Sequence, residues 1–228
     1  MAITSGTANV QILIDTSSRL VARFLYFTSN GANETDSLKI NVATLSSRAF
    51  SLVVANSNVY VQPGAVVVGS TSNAHAVVSE WNKAVNTAVI TNLTGNTAFA
   101  DNEVLTFTFG NTTLGTCNSK SSSAFSAPSR NLDITSVWYS VSAGMSVELG
   151  FGGAYANAVA YVAPSMLLSG SGYFGKNALP AQLDNPVLNP TGNFYISTYN
   201  DGTLGTTLSY TVITEFRKTA GFVAVPGY

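Results

Sequence analysis

Ser37-Leu38-Lys39-Ile40-Asn41-Val42 is the stretch on which the fold turns, because apolar and polar side chains alternate strictly along it. A period of two sets Leu38, Ile40 and Val42 on one face of an extended chain and Ser37, Lys39 and Asn41 on the other, the pattern of a half-buried strand. Outward from it, the same reading fits Val10–Ile14, Leu20–Phe27, Ala74–Trp81, Val104–Phe109, Leu132–Val141 and Leu208–Phe216, most of them bounded by Gly, Asn, Pro or Ser clusters. Helical spacing is almost absent: the best window, Asn157–Met166, is rich in Ala and Val but is interrupted by Pro164. About a dozen short strands with turn signals between them predict an all-β fold with little helix, a jelly-roll-like β-sandwich or a barrel.

A break in the pattern suggests a nested layout. Residues 116–131 are Ser-rich and aperiodic, which predicts a linker or a long arm. Before the break, residues 54–115 hold enough strands to close as a small β-barrel. Residues 1–53 and 132–228 then complete a β-sandwich between them, with the barrel inserted in one of its loops, where insertions cost little. A single elongated sandwich is the alternative.

Composition narrows the function. Of the 228 residues, 46% are hydrophobic and only 9% charged, against a usual charged share of about 25%. Ser, Thr and Asn make up roughly a third of the chain, so its polar surface is built from neutral hydroxyls and amides. With a formal net charge of -1, like-charge repulsion is weak and association with partners is the expected state. Ten basic residues scattered against eleven acidic ones offer no patch to nucleic acid or to an anionic membrane. The apolar runs are too short for a membrane helix, and Met1-Ala-Ile-Thr-Ser5 is not expected to act as a signal peptide. Without one, the sequons at Asn33, Asn92 and Asn111 are expected to be chance products of an Asn- and Thr-rich chain. A single cysteine, Cys117, excludes an internal disulfide and a thiolate cluster.

Gly170-Ser-Gly172-Tyr-Phe-Gly175 matches a dinucleotide-binding fingerprint letter for letter, but Pro180, Pro186 and Pro190 forbid the helix that must follow. These glycines are expected in an extended loop that contacts partners. His75, the only histidine, lies between Ala74 and Ala76 in a predicted strand with no acidic neighbour, and reads as structural. Cys117 has Lys120 nearby but no second thiol. Asp101, Glu103, Asp133, Glu148, Asp184 and Asp201 are available for a hydrolase pair, which spacing alone does not test. Asp101-Asn-Glu103 lacks the central Gly and distal Glu of a calcium loop and reads as a turn. No catalytic residue, cofactor or metal is expected. The aromatic residues Trp138, Tyr139, Phe151, Tyr155, Tyr161, Tyr173, Phe174, Phe194, Tyr195 and Tyr199 offer a competing picture, a stacking platform for a sugar, although most strand aromatics are core.

Two regions carry a resemblance. Val61-Gln-Pro-Gly-Ala-Val-Val-Val-Gly-Ser-Thr-Ser-Asn-Ala-His-Ala-Val-Val78, with Ala88 through Thr106, resembles a β repeat found in virion proteins of tailed phages. Gly64 to Ala74 match its "aGe-x-V-x-G-x-T-S-x-A" element and Thr94 to Val104 its "l-x-G-x-F-x-x-g-E" element, with Ala65 replacing a Glu and Asn102 a Gly. The C-terminal stretches from Leu167 to Lys218 are likewise similar to small virion structural proteins of marine and cyanobacterial phages. The resemblance implies a non-catalytic particle component and transfers no functional residues. Together with the composition it leads to the expectation of a capsid decoration or cement protein, a homo-oligomer with a trimer favoured. Its partners would be the major capsid protein or other virion proteins, and its location the virion, assembled in the host cytoplasm. The tail Ala220–Tyr228 is expected to act as an arm toward neighbours. Neck, tail or fibre-attachment components and a glycan-binding module are the alternatives.

Overall fold

A computed structural model of the chain describes residues 7–55, 59–95, 98–124, 132–155, 158–175, 190–200, 207–219 and 221–224. Three strands open the chain: β1 (Thr7–Asp15), β2 (Arg19–Thr28) and β3 (Ser37–Ile40). Six follow: β4 (Phe50–Val54), β5 (Val66–Gly69), β6 (His75–Asn82), β7 (Thr87–Thr94), β8 (Val104–Phe109) and β9 (Thr112–Ala124). The last six are β10 (Leu132–Val141), β11 (Met145–Tyr155), β12 (Ala158–Leu168), β13 (Ser171–Phe174), β14 (Pro190–Asn200) and β15 (Leu208–Lys218). Helix among the described residues is confined to two single 3-10 turns, Val42–Thr44 and Lys83–Val85. The all-β expectation holds, and the window Asn157–Met166 forms strand from residue 158 on.

The chain divides into two compact units, Met1–Leu45 with Pro128–Ala220, and Ser46–Ala127 with Gly221–Tyr228. The first is a sandwich. One sheet has the order β1-β2-β15-β10-β13 and the other β12-β11-β14-β3, every pair antiparallel. Apolar side chains on alternate positions of both sheets meet between them. Phe194 of β14 lies 5.4 Å from Phe24 of β2 and 5.0 Å from Phe216 of β15, with Phe151 of β11 at 5.8 Å. All four rings are fully buried. Removing one such ring costs about 3–5 kcal/mol, because the lost transfer energy is joined by a cavity that closely packed neighbours cannot close.

The second unit is a closed barrel with the order β4-β7-β6-β5-β8-β9. Closure leaves no open strand edge and points every second residue inward, which gathers Leu52, Val67, Val78, Ile90, Leu105 and Phe107 into one core.

Three expectations are corrected. The barrel takes more chain than residues 54–115, because β4 begins at Phe50 and β9 runs to Ala124. Residues 116–124 are therefore strand rather than linker, and residues 125–131 lie outside the described ones. A Ser-rich segment has low strand propensity of its own, but β9 pairs with β8 on one side and β4 on the other, and those ladders override it. Second, the strict alternation at 37–42 is broken in the fold: Leu38 is 47% exposed and Lys39 only 8%. The cause is a register slip in which Phe194 pairs with Ile40 and Tyr195 with Leu38, so that Lys39 is the extra residue of a bulge and turns inward. Third, the C-terminal tail is docked on its own chain over residues 221–224. Ala49 N donates to Gly221 O at 2.8 Å, Val223 N to Ser47 O at 2.9 Å and Ser79 Oγ to Ala224 O at 3.1 Å. The Arg48 guanidinium lies 5.5 Å from the centre of the Phe222 ring.

Candidate functional site

Most sequence-selected residues fall into structural places. Gly170 turns the chain at φ +70° into β13, so the G-x-G-x-x-G stretch is an edge strand paired with β10 and no helix opens on it. His75 begins β6, half-buried, with its Nε2 3.4 Å from Asn73 Oδ1. Cys117 is partly buried against the barrel core. Of the carboxylates, Asp133 holds Arg217 Nη2 at 2.6 Å and Glu148 accepts from the Tyr199 hydroxyl at 2.5 Å. Asp184 and Asp201 lie outside the described residues. Among the described residues, no group of three or more His, Cys, Asp or Glu gathers as a metal site would need.

Glu103 is the exception to an ordinary turn. Its carboxylate is 4% exposed and accepts from Thr71 N and Ser72 N at 2.9 Å each, from Ser72 Oγ at 2.7 Å and from Ala100 N at 2.6 Å. Burial pushes the Glu103 carboxyl up, and the hydrogen bonds from Ser72, Thr71 and Ala100 outweigh it, leaving the group below its usual range. The two repeat elements named above therefore meet here. Thr71 and Ser72 of the first donate to the Glu that ends the second. Gly69 is required because a Cβ there would sit 2.6 Å from both carboxylate oxygens. Asn102, standing in place of a Gly, has φ +60°, a conformation Asn tolerates. The cluster is a clamp that closes the barrel's loops, with every lone pair turned inward to the protein.

The aromatic residues divide by environment. Phe151 and Phe194 are core, and Tyr195 packs its ring over Gly152, where a Cβ would lie 2.1 Å from Cε2. The side chains of Tyr155 and Tyr161 lie outside the described ones. Tyr139 and Phe174 stack on each other at 5.6 Å. Trp138 and Tyr173 are directly paired across β10 and β13, 4.9 Å apart, and are 41% and 57% exposed. They line a groove of about 540 Å³ together with the polar residues Arg19, Ser136, Glu215 and Arg217. Neither Arg19 nor Arg217 nor Glu215 stands out in the sequence. Only the pairing of β2, β10 and β15 brings them beside Trp138.

A further exposed feature is β1. It is the last strand of its sheet, paired on one side with β2. Val10, Ile12, Leu13 and Ile14 are all exposed, and no charged residue occurs from Thr7 to Ile14.

No family model and no curated protein matches the chain. Among solved structures it is similar to one described as the structure of infectious bursal disease virus, Gx strain, at 11% identity, covering 96% of this chain and 70% of that one with a TM-score of 0.21. A second is the crystal structure of the infectious bursal disease virus VP2 subviral particle, at 9% identity over 93% and 80% of the two chains, with a TM-score of 0.15. Superpositions at that level carry no argument about fold or function.

Proposed function

We propose that this chain is a non-catalytic virion structural protein, a capsid decoration protein that binds the assembled major-capsid shell and stabilises it. The observation that carries this reading is the open edge of β1. Among the described residues no strand pairs with the outer side of β1, and its backbone N–H and C=O groups there, flanked by Val10, Ile12, Leu13 and Ile14, are a template for another strand; proteins that work alone blunt such an edge with Lys, Pro, a bulge or a covering loop. Here a single bulge at Leu13 interrupts the ladder with β2, and the edge carries no Lys or Pro from Thr7 to Ile14. A surface poor in charge and rich in Ser, Thr and Asn supports the same reading, since such groups hydrogen-bond to a neighbour without the desolvation cost of an ion. The resemblance of Gly64–Ala74 and Thr94–Val104 to a repeat of tailed-phage virion proteins supports it as well, because residues of the two elements build the Glu103 clamp.

Decoration works by mass action. A protein that binds the closed shell and not its opened form lowers the free energy of the closed form alone. A homo-oligomer, a trimer in our reading, adds avidity, since once one subunit is bound the next binds at high effective concentration. Quantitative mass spectrometry of purified particles tests the proposal. The expected result is a copy number equal to, or a simple fraction of, that of the major capsid protein. A few copies per particle would place the chain in the neck or tail instead, and absence from particles would overturn the reading.

A further inference from the structure

The groove beside Trp138 and Tyr173 is outside the assembly reading, and its chemistry points to a different partner. We propose that it is a carbohydrate-binding site for a neutral hexose unit. Two sets of lining residues of opposite character carry the inference. In one, Trp138 and Tyr173 expose their rings at the sheet edge, 4.9 Å apart and tilted by 32°. An aromatic face is the negative side of a quadrupole, and the C–H-bearing face of a pyranose is apolar and weakly positive, so the two stack. At that distance and tilt the two rings lean on each other in an offset stack, and the ring surface left exposed is offered to one sugar ring.

The other set supplies directional hydrogen bonds. Glu215 accepts from Arg19 Nε at 2.7 Å and from Ser136 Oγ at 3.2 Å, and Arg217 is held by Asp133 at 2.6 Å. These side chains are thus oriented before any ligand arrives. A carboxylate and two guanidinium groups lining the same groove offer vicinal hydroxyls an acceptor and several donors at once, a match to the diol edge of a hexose. Charge argues for a neutral sugar: Arg19 and Arg217 are balanced by Glu215 and Asp133, so the groove has no net field to attract an acidic one. Its volume of about 540 Å³ falls in the range of small-ligand sites, with an apolar face and a few convergent polar groups. The arrangement is unlike that of Phe151 and Phe194, which the core consumes completely.

The test uses the full chain and the methyl pyranosides of glucose, galactose and mannose, followed by their linear oligosaccharides. With two tryptophans in the chain, Trp81→Phe leaves Trp138 as the sole fluorescent reporter. At least one sugar is expected to receive saturation transfer at its ring protons and to shift Trp138 emission. Trp138→Ala and Tyr173→Ala are expected to weaken that binding at least tenfold, and Glu215→Gln severalfold, while Trp138→Phe retains most of it. The mutated rings are exposed, so circular dichroism and the thermal midpoint should stay at the parent's values and separate loss of binding from loss of folding. Absence of transfer to every neutral sugar, or binding that survives both alanine variants, would overturn the proposal. Loss of particle attachment by Trp138→Ala without any sugar binding would overturn it too, by assigning the groove to a protein partner. A failed sugar test leaves the copy-number measurement untouched, so the two readings fall separately.

Discussion

Glu34 in the sandwich and Glu103 in the barrel are both buried glutamates, and the two units compensate them in opposite ways. In the sandwich, Glu34 is 8% exposed and is held by side chains: the Lys39 ammonium forms an ion pair with Oε1, and the Tyr210 hydroxyl donates to Oε2 at 2.5 Å. In the barrel, Glu103 is held by three backbone N–H groups and one hydroxyl, and no cation among the described residues pairs with it. Side-chain compensation joins distant segments, since Tyr210 stands 176 residues from Glu34, and it makes the fold depend on a bulge that turns Lys39 inward. Backbone compensation is local to two loops and asks only that the chain turn tightly enough to aim its amides. Burial and the neighbouring Glu34 both hold the Tyr210 hydroxyl far above the usual phenol range, which keeps it a donor to Glu34.

Breaking the sandwich pair should have the largest effect. Lys39→Met leaves Glu34 buried without a cation, and the loss expected is about 3–5 kcal/mol, measured by urea unfolding followed through Trp138 in a Trp81→Phe background. A loss below about 1 kcal/mol would mean that the Lys39 ion pair adds little to what the Tyr210 hydrogen bond already supplies.

Glu103→Gln is the matching change in the barrel. It removes the charge from several hydrogen bonds and turns an amide N–H₂ toward donors, for an expected loss of about 2–3 kcal/mol read through Trp81 in a Trp138→Phe background. The parent should also lose barrel stability in acid. Because the folded Glu103 titrates below its ordinary value of 4.5, the unfolded chain takes up the proton first. The contribution is whole above that value and is lost as pH falls through it toward the depressed one. Glu103→Gln should flatten this acid slope, and an unchanged slope would assign it to other carboxylates.

The smallest effect sharpens the role of the tail. Phe222→Ala removes the ring under Arg48 while leaving the backbone bonds of Gly221 and Val223, and about 0.5–1 kcal/mol is expected, seen as a small drop in the barrel's thermal midpoint. No change would show that the backbone bonds alone hold residues 221–224.

Legibility in the sequence followed the range of the interactions. Alternation is a local signal, so the strands at Leu20–Phe27, Leu132–Val141 and Leu208–Phe216 were readable from periodicity alone. The repeat elements around Gly69 and Glu103 were visible as motifs, yet their purpose was not, because a motif does not state that Thr71 and Ser72 will donate to a carboxylate over thirty positions away. The groove was half visible: Trp138 and Tyr173 stood among the aromatic candidates, but nothing in spacing separated them from Phe151 and Phe194, which the core absorbs.

What the sequence determined by itself is the class of structure and the character of its surface: period-two patterning commits the backbone to strands, and a shortage of ionised residues leaves hydroxyls and amides to face the outside. Only the tertiary structure decided that Lys39 turns in and Leu38 out, that the Ser-rich segment closes a barrel as β9, that the tail docks at Arg48, and which aromatic rings remain exposed. The physical reason is common to all four. Register, bulges and closure are settled by which strand lies alongside, and partners such as β2 and β15, β3 and β14, or β4 and β9 stand far apart in the sequence.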